Sequence, residues 1–578
     1  MRSDVQPKRF WIDQICIDQK DLKDKEAQVK RMGDIYRQAM LVVTYAGPES
    51  SEDEEAISLL DTLAIQYITP FWTHYLHDDM WKWLMTLDAE LEDDGGLEID
   101  TTDHADATSE LSRLRQRLRS PLPVHKGWGG LMRILLGSWG RRRWMVQENV
   151  LNPKVLILRG GRTLDQRTIL ILCGFLLFKL WDRRLPNGGR LSDEDARNLS
   201  NVSMLWRIQR VVMTETQLNL SDLLHWFRNS LCSDPRDAVY ALLSLAQDRE
   251  ALGIEADYSK SLEDVLVDTA VAMLSKDGLS MYLKQRDVPD IAPEKGVPSW
   301  VPMWAPRHQA TGLVQTSPYT RIKLSSPAAS VLRFQNNNRV LIVKAVPIGA
   351  ISRSFGLVER RPTQHVQQFL RSPTTAQAHP AGQAFQNAAE YLSSQGMAED
   401  DVTYTLARAF LATTSWKAHD DHAALTQSSN NGQLTDCDEC ARHIRAGYRA
   451  AMRILVPGPN MPHGTKLRVQ SETLDGTPGP SRTEIEAGVE FIRHFGIHGA
   501  QLALAGDCDL SWIPVRSRPG DLIFKPVGIT TTFVLRPTSD SCQEYRMVGT
   551  AFVHGYIDGD AFKLEHGWEQ SAQEVRIV

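Results

Sequence analysis

A tryptophan and a glutamate stand four residues apart at Trp144 and Glu148, directly after the arginines at 141–143. On a helix this spacing places the two side chains on one face, one turn apart. A carboxylate there can stabilise the positive charge that develops on a sugar carbon during glycoside cleavage, and guanidinium groups beside it can bind a pyrophosphate through forked hydrogen bonds. Two other interpretations stay open: Glu148 pairs with one of the arginines while Trp144 lies in the core, or the segment binds a partner.

Two aspartates, Asp13 and Asp18, lie at and just past the end of the first apolar run, Phe10–Ile17, whose composition predicts a strand. Carboxylates at the end of a strand can bind the hydroxyl groups of a substrate. The alternative is structural, with Asp18 capping the next helix and Asp13 bonded in a turn. Cys16 has no adjacent histidine, which favours a small buried residue over a nucleophile.

A helix and a second strand must position these side chains. Apolar residues recur at three- and four-residue spacing from Val29 to Ala39, which predicts one buried helix face. Leu41–Tyr45 predicts a strand, closed by Gly47 and Pro48. A strand–helix–strand unit of this length normally gives two parallel strands with a right-handed crossover, and ligand sites are common at the ends of such strands.

A possible zinc site lies in a polar insert of the C-terminal half. Histidines and cysteines at two-residue spacings could supply four nitrogen and sulfur ligands, with one more histidine nearby. These residues are His419, His422, Cys437, Cys440 and His443. The alternative is a polar loop that binds no metal. No cofactor is expected elsewhere in the chain.

Composition restricts the classes of protein to consider. The chain has 578 residues, of which 42% are hydrophobic and 24% charged, and its net charge of -6 gives no general attraction to nucleic acid. Seven cysteines with little clustering favour a reducing compartment. The longest apolar run, Ile169–Phe178, is shorter than the roughly 20 residues of a membrane-spanning helix and predicts a buried helix. A cytoplasmic location is therefore expected.

The stretch WIDQICIDQKDL…QVKRMGDIYRQAMLVVTYAGPE resembles the core of the fungal heterokaryon-incompatibility (HET) domain, and RRWMVQE at 142–148 resembles a second block of that family. The matching positions of the first block run in order. They are Trp11, Ile12, Asp13, Cys16, Ile17, Asp18, Gln19, Gln28, Val29, Met32, Ile35, Tyr36, Ala39, Gly47, Pro48 and Glu49. The family's usual earlier motif, L-S-Y-x-W-G, does not precede them, so we expect the N-terminal strand to be missing.

The order of strand, helix, hydrophobic strand and tryptophan–glutamate turn also resembles TIR domains. NAD-cleaving members of that group keep a glutamate four residues after a tryptophan. The resemblance implies a TIR-like NAD+ glycohydrolase in which Glu148 is catalytic and NAD+ enters as substrate. The residues expected to bind this substrate are Asp13, Asp18, Arg142, Arg143 and Trp144.

Later segments predict a change of architecture. CSDPRDAVYALLSLAQD at 232–248 resembles the helical region that follows the HET core in long family members, and apolar runs after residue 330 predict a β-rich tail built as a small sandwich or barrel. The expected fold is α/β. A TIR-like parallel sheet flanked by helices forms the HET domain at 1–181, a mainly helical region follows at 182–297, and a mixed region with the β-rich tail occupies 298–578.

What the HET resemblance implies is self/non-self recognition, in which incompatible partners trigger programmed death of fused cells. Expected partners are other incompatibility proteins or further copies of the chain, without nucleic acid or a membrane span. A non-catalytic assembly module and an inactive, degenerate family member are the alternatives to an enzyme.

Overall fold

A computed structural model of the protein describes most of the chain, with gaps. The described residues are 9–68, 120–180, 184–213, 218–228, 230–284, 296–304, 332–358, 379–411, 446, 448–452, 455, 500–506, 509–529, 531–539, 544–553 and 568–578. They form two compact units, one from Met1–Ala272 with Met303–His308 and one from Met273–Pro302 with Gln309–Val578. The domain boundaries expected at 181 and 297 stay predictions.

The first unit combines short helices with a small sheet. Its helices are α1 Asp13–Cys16, α2 Leu22–Gln38, α3 Asp53–Leu63, α4 Trp128–Leu135, α5 Met145–Val150, α6 Gln166–Lys179, α7 Asp193–Met213, α8 Leu220–Trp226, α9 Asp237–Tyr240, α10 Arg249–Leu252 and α11 Leu262–Asp277. Its strands are β1 Val42–Tyr45, β2 Val155–Arg159 and β3 Arg162–Asp165. Helix α11 runs on into the second unit.

Helix α2 forms as its sequence pattern predicts. The side chain of Asp21 accepts hydrogen bonds from the backbone amides of Lys23 and Asp24, which would otherwise lack partners in the first turn. Val29 and Met32 are buried on the apolar face. Capping and one-sided burial together fix where this helix begins and which face it turns to the core.

The predicted strand at Phe10–Ile17 is wrong. Its centre is the single helical turn α1, in which the carbonyl of Ile12 accepts from the amides of Ile15 and Cys16. Ile12 and Ile15 are exposed at 45% and 77%, so their apolar character does not mark a buried strand here. A strand needs a neighbour to satisfy its backbone groups, whereas this turn satisfies them locally. Cys16, expected to be buried, is exposed.

The sheet of the first unit has the order β1-β2-β3. Strand β1 pairs in parallel with β2, from Val42 opposite Val155 to Tyr45 opposite Leu158, and β2 pairs antiparallel with β3. A parallel pair is therefore present, but its second member is β2, which lies far along the sequence. Burial alternates along β1, with Val42 and Thr44 buried and Val43 and Tyr45 exposed.

Helix α6 is buried as its apolar run predicts. Leu170, Leu172 and Leu176 have no exposed surface, and the same is true of Trp128 and Ile134 in helix α4. Helices buried on nearly all sides form the core behind the small sheet. Among the residues that the structure describes, no helix is long and apolar enough to cross a membrane.

The second unit is built on a large sheet, as the β-rich tail predicts. Its strands are β4 Arg333–Gln335, β5 Val340–Val358, β6 Ala500–Ala505, β7 Asp509–Pro514, β8 Leu522–Pro526, β9 Thr532–Pro537, β10 Glu544–Val553 and β11 Gln573–Ile577. The long strand β5 changes partners along its length, pairing with β4 and β11, then β8, then β6. Because β8, β9, β10 and β11 also pair in succession, the pairings close into a barrel-like circuit.

Helices cover one face of this sheet. They are α12 Met281–Lys284, α13 Pro380–Ser394 and α14 Glu399–Leu411, of which the last two form part of one apolar cluster with the strands. In that cluster the ring of Phe385 packs edge-on against Trp512, whose indole N–H donates to the carbonyl of Ala409. A second cluster, including Ile351, Ile523 and Val534, fills the interior between the strands.

Candidate functional site

The side chains of the three consecutive arginines, at 141–143, contact three different sets of partners. Arg141 forms an ion pair with Glu194, and Arg142 lies with its Nη2 4.0 Å from Oδ2 of Asp13. Arg143 is fully buried and forms no ion pair among the described side chains. The arginines therefore do not act as one pyrophosphate clamp.

Arg143 is a structural residue in this fold. Its Nη1 donates to the carbonyl of Ala238 at 2.6 Å, and its Nη2 donates to the carbonyls of Phe227 at 2.6 Å and Trp304 at 3.2 Å. Burial lowers the pKa of this guanidinium to about 10, which leaves it charged at neutral pH. Both Nη groups of Arg143 therefore donate to main-chain carbonyls and hold the segments that carry them.

Trp144 and Gln147 bind the same part of the chain as Arg143. The indole N–H of Trp144 donates to Oδ2 of Asp237 at 2.9 Å, and the amide of Gln147 donates to the carbonyl of Ala241 at 2.6 Å. Asp237 also accepts a hydrogen bond of 2.5 Å from the hydroxyl of Tyr258. Burial raises the pKa of Asp237, and the bonds from Tyr258 and Trp144 oppose that rise. Three residues of the motif thus anchor helix α5 to the segment at 227–241.

Glu148 lies on the same short helix but has a different environment. It is half-buried, and no hydrogen bond or ion pair joins its carboxylate to any described residue. Burial raises its pKa, Arg142 opposes the rise, and the negative charge of Asp13 adds to it. A partly buried carboxylate without a partner is costly to keep in a fold, and such groups concentrate at functional sites.

Tyr36 joins these residues from helix α2. Burial raises the pKa of its phenol far above the usual value, the charges of Glu148 and Asp13 raise it further, and Arg142 lowers it. Its hydroxyl is therefore protonated at neutral pH and able to donate a hydrogen bond. We call Asp13, Tyr36, Arg142 and Glu148 the Asp13–Glu148 cluster.

Tyr36, a residue of helix α2, is held in place through both its ring and its backbone carbonyl. The ring of Trp11 packs edge-on against the ring of Tyr36, with centroids 5.9 Å apart. The side-chain amide of Asn152 donates to the carbonyls of Tyr36 and Ala39 at 2.8 and 2.7 Å, while its oxygen accepts from the amide of Lys154. Asn152 thereby provides hydrogen-bond donors for carbonyls at the C-terminal end of helix α2 and connects that end to the start of β2.

Asp18 has a structural role next to the start of helix α2, although it is not the helix cap itself. Its Oδ1 accepts from the amide of Lys20 at 3.0 Å, and its own amide donates to Asp24 at 2.8 Å. The helix cap itself is Asp21. Among the residues expected to bind substrate, the structure thus brings Asp13 and Arg142 together with Glu148, whereas Asp18, Arg143 and Trp144 make contacts elsewhere.

Two members of this architecture carried no functional signal in the sequence. Tyr36 enters the sequence analysis only as a HET-motif position on an apolar helix face, and Asp237 only as a residue of the helical stretch at 232–248. Their roles depend on contacts between residues that are about 100 positions apart in sequence, which spacing patterns do not reveal.

The possible zinc ligands at 419–443 lie outside the described residues. Within the described ranges, no group of three or more histidine, cysteine or acidic residues is arranged to hold a metal ion. The Asp13–Glu148 cluster itself supplies two carboxylic acids, a phenol and a guanidinium group. Those groups can stabilise a developing cation, donate one hydrogen bond from a neutral phenol and attract an anionic group.

Comparisons with known proteins agree with the family resemblance. A family model described as "Heterokaryon incompatibility protein (HET)" matches residues 1–148, which end at Glu148. The protein named Heterokaryon incompatibility protein 6, OR allele, from Neurospora crassa is 28% identical over 330 residues, covering 52% of this chain and 46% of the relative. The chain thus spans about half the length of that relative. No solved structure matches the chain significantly.

Proposed function

We propose that this chain, whose residues 1–148 match the HET family model, is an effector of fungal non-self recognition whose HET domain kills by cleaving NAD+. The single observation that carries the catalytic part is the half-buried carboxylate of Glu148, which has no hydrogen bond or ion pair to any described residue. The name of the Neurospora relative supports the biological role. A TIR-like arrangement of the site is part of this proposal.

In this mechanism the bond between the nicotinamide nitrogen and ribose carbon 1 breaks, and its electron pair returns to the positively charged ring. Glu148 stabilises the cationic ribose that results, in the manner of the carboxylates of glycoside hydrolases. Water adds to that carbon and gives up a proton, so that the products are nicotinamide, ADP-ribose and one proton. Asp13, whose negative charge raises the pKa of Glu148, binds ribose hydroxyls or takes the proton.

Arg142 and Tyr36 have supporting roles in the proposal. Arg142 is 49% exposed at its side chain, which leaves its fork accessible to the pyrophosphate of NAD+. The neutral phenol of Tyr36 donates a hydrogen bond to substrate. The positive nicotinamide ring favours the ionised form of Glu148, whose pKa burial raises in the free protein.

The test is nicotinamide release from NAD+ by the purified full chain. Replacing Glu148 by glutamine removes the charge at nearly constant shape, and we expect the rate to fall by about 10²- to 10³-fold. Glu54→Gln is the matched control, since Glu54 is an exposed glutamate of helix α3 outside the cluster. Glu148 must be ionised, so the rate of the unaltered protein should fall as pH decreases through its raised pKa.

Turnover that is absent from the unaltered protein, or equal in Glu148→Gln, contradicts the enzymatic proposal.

A second function, assembly without catalysis, is favoured by one observation. Among the described residues β1 has no neighbour on its outer edge, and Val43 and Tyr45 are exposed at 37% and 57%. Open edges of this kind pair readily with other strands. Cell killing that survives Glu148→Gln but is lost in Tyr45→Lys supports this alternative.

A further inference from the structure

An open cleft of about 880 Å³ lies in the second unit, where the end of β9 and the start of β10 meet the segment 296–299. Three arginines line it, Arg339, Arg536 and Arg546, together with apolar side chains that include Val297 and Pro537. The volume falls within the range of small-molecule sites, roughly 300–1,000 Å³, and exceeds what a lone inorganic ion needs.

The charged side chains that line the cleft are all arginines. Arg536 and Arg546 are direct cross-strand partners, an arrangement in which like charges repel. Arg536 is neutralised from behind, because its Nε and Nη2 donate to the two oxygens of the buried Asp521 at 2.7 and 2.9 Å. Arg546 is exposed, and its side chain has no hydrogen bond or ion pair to any residue in the described ranges.

The other walls of the cleft are fixed by main-chain contacts. Nη1 of Arg339 donates to the carbonyl of Gly296 at 2.7 Å, and Ser299 donates through its backbone amide to the carbonyl of Val578 at 3.1 Å. The cleft therefore presents positioned cationic groups beside Val297, Pro298 and Pro537. Preorganised guanidinium groups bind phosphate through charge-assisted, forked hydrogen bonds.

We propose that this cleft binds a phosphate monoester of a small organic molecule, about the size of a mononucleotide. Arg546 contacts the phosphate and supplies the positive charge, and Arg536, whose charge is offset by Asp521, offers its remaining N–H donors beside it. The organic portion of the ligand packs on the proline and valine side chains. The site is independent of the Asp13–Glu148 cluster and of the catalytic proposal.

Isothermal titration of the full chain with AMP, and in parallel with adenosine, tests the proposal. AMP should bind and adenosine should not, because only AMP carries the phosphate. Arg546→Gln should weaken AMP binding by about tenfold or more, as expected when a charge-assisted hydrogen-bond pair is lost. Arg518→Gln is the matched control, since this exposed arginine of the same unit does not line the cleft, and it should bind AMP normally.

A further arm separates this cleft from the HET domain. AMP is part of NAD+, so Arg142→Gln should leave AMP binding unchanged if the cleft is the site. The proposal is overturned if AMP gives no binding heat, if adenosine binds equally well, or if Arg546→Gln binds AMP like the unaltered chain. It is also overturned if Arg142→Gln, rather than Arg546→Gln, abolishes binding. Because Arg546 is exposed, its variant should unfold at the same temperature as the unaltered protein, which a thermal melt checks.

Discussion

At the scale of single residues, a buried ion pair holds the end of the parallel strands together. Asp53 has no exposed surface and accepts from Nε of Arg159 at 2.9 Å and Nη2 at 3.2 Å, while Nη1 of Arg159 donates to the carbonyl of Ala46. Ser50 adds two further bonds to Asp53. The pair thus joins helix α3 to the ends of β1 and β2 near the turn at Gly47.

Replacing Asp53 by alanine should destabilise the protein by about 3–5 kcal/mol, because Arg159 is then left buried without its counter-charge. The free energy of urea unfolding measures this. Glu49→Gln is the matched control, since the Glu49–Arg162 pair is half-exposed and its loss should cost less than about 1 kcal/mol. Equal losses in the two variants contradict the prediction.

The stabilisation that the Asp53–Arg159 pair provides should depend on pH. Burial alone would raise the pKa of Asp53, but the hydrogen bonds from Arg159 and Ser50 outweigh it and lower the pKa to about 2. Because the folded pKa lies below the ordinary value of 3.8, the stabilisation is complete above pH 3.8 and is lost as pH falls toward 2. The stability difference between the unaltered chain and Asp53→Ala should shrink in that window.

At the scale of elements, the hairpin between β2 and β3 depends on one of two adjacent glycines. Gly160 has a φ of +57°, and a Cβ there would lie 2.8 Å from the amide nitrogen of Glu49. Gly161 has no atom within 4 Å of the corresponding position. The turn therefore requires glycine at position 160, whereas a side chain can be accommodated at position 161.

Gly160→Ala should cost about 2–4 kcal/mol, from the left-handed backbone and the clash with Glu49 together. Gly161→Ala should be neutral or stabilise the protein by up to about 1 kcal/mol, because it restricts the unfolded chain without a clash. Thermal unfolding of the two variants side by side decides the matter, and a loss of stability on substitution at 161 equal to that at 160 would count against it.

Elements defined by local patterns follow from the sequence. Helix α2 and the buried helix α6 are of this kind, since the periodicity of apolar residues acts over a few turns. The run at Phe10–Ile17 fails because apolar composition alone does not distinguish a strand from one helical turn. In the candidate site, Arg142 lies 4.0 Å from Asp13 and both charges act on Glu148, but the partners of Arg143 and Trp144 lie more than 80 residues away.

At the scale of the whole molecule, the HET motif and the segment after residue 227 form one folding unit. Helix α2 adds to this through Lys25, whose Nζ lies 3.5 Å from Asp234, and through Glu26, which accepts from the amide of Tyr258. Gly33 packs so closely against Ser244 that an added Cβ would lie 2.5 Å from the serine Cβ. We therefore expect that residues 1–148, which the family model matches, need the later segment of the first unit in order to fold.

A fragment of residues 1–181 should not fold cooperatively, because it lacks the carbonyls that bind Arg143 and the carboxylate that binds Trp144. A fragment of residues 1–308 contains both segments of the first unit and should show a cooperative melt. Circular dichroism of the two fragments during heating measures this. A sharp transition in the shorter fragment would show that the anchoring contacts are dispensable.

The anchoring of Arg143, Trp144 and Gln147 also bears on how genetic variants of the protein should be interpreted. These three side chains hold the short helix that carries Glu148 against residues 227–241. Damage to that distant segment displaces the acid without altering any residue near it. Inactivating alleles that map to residues 227–241 therefore identify the support on which the acid rests, and assigning them to a separate regulatory region would misplace their defect.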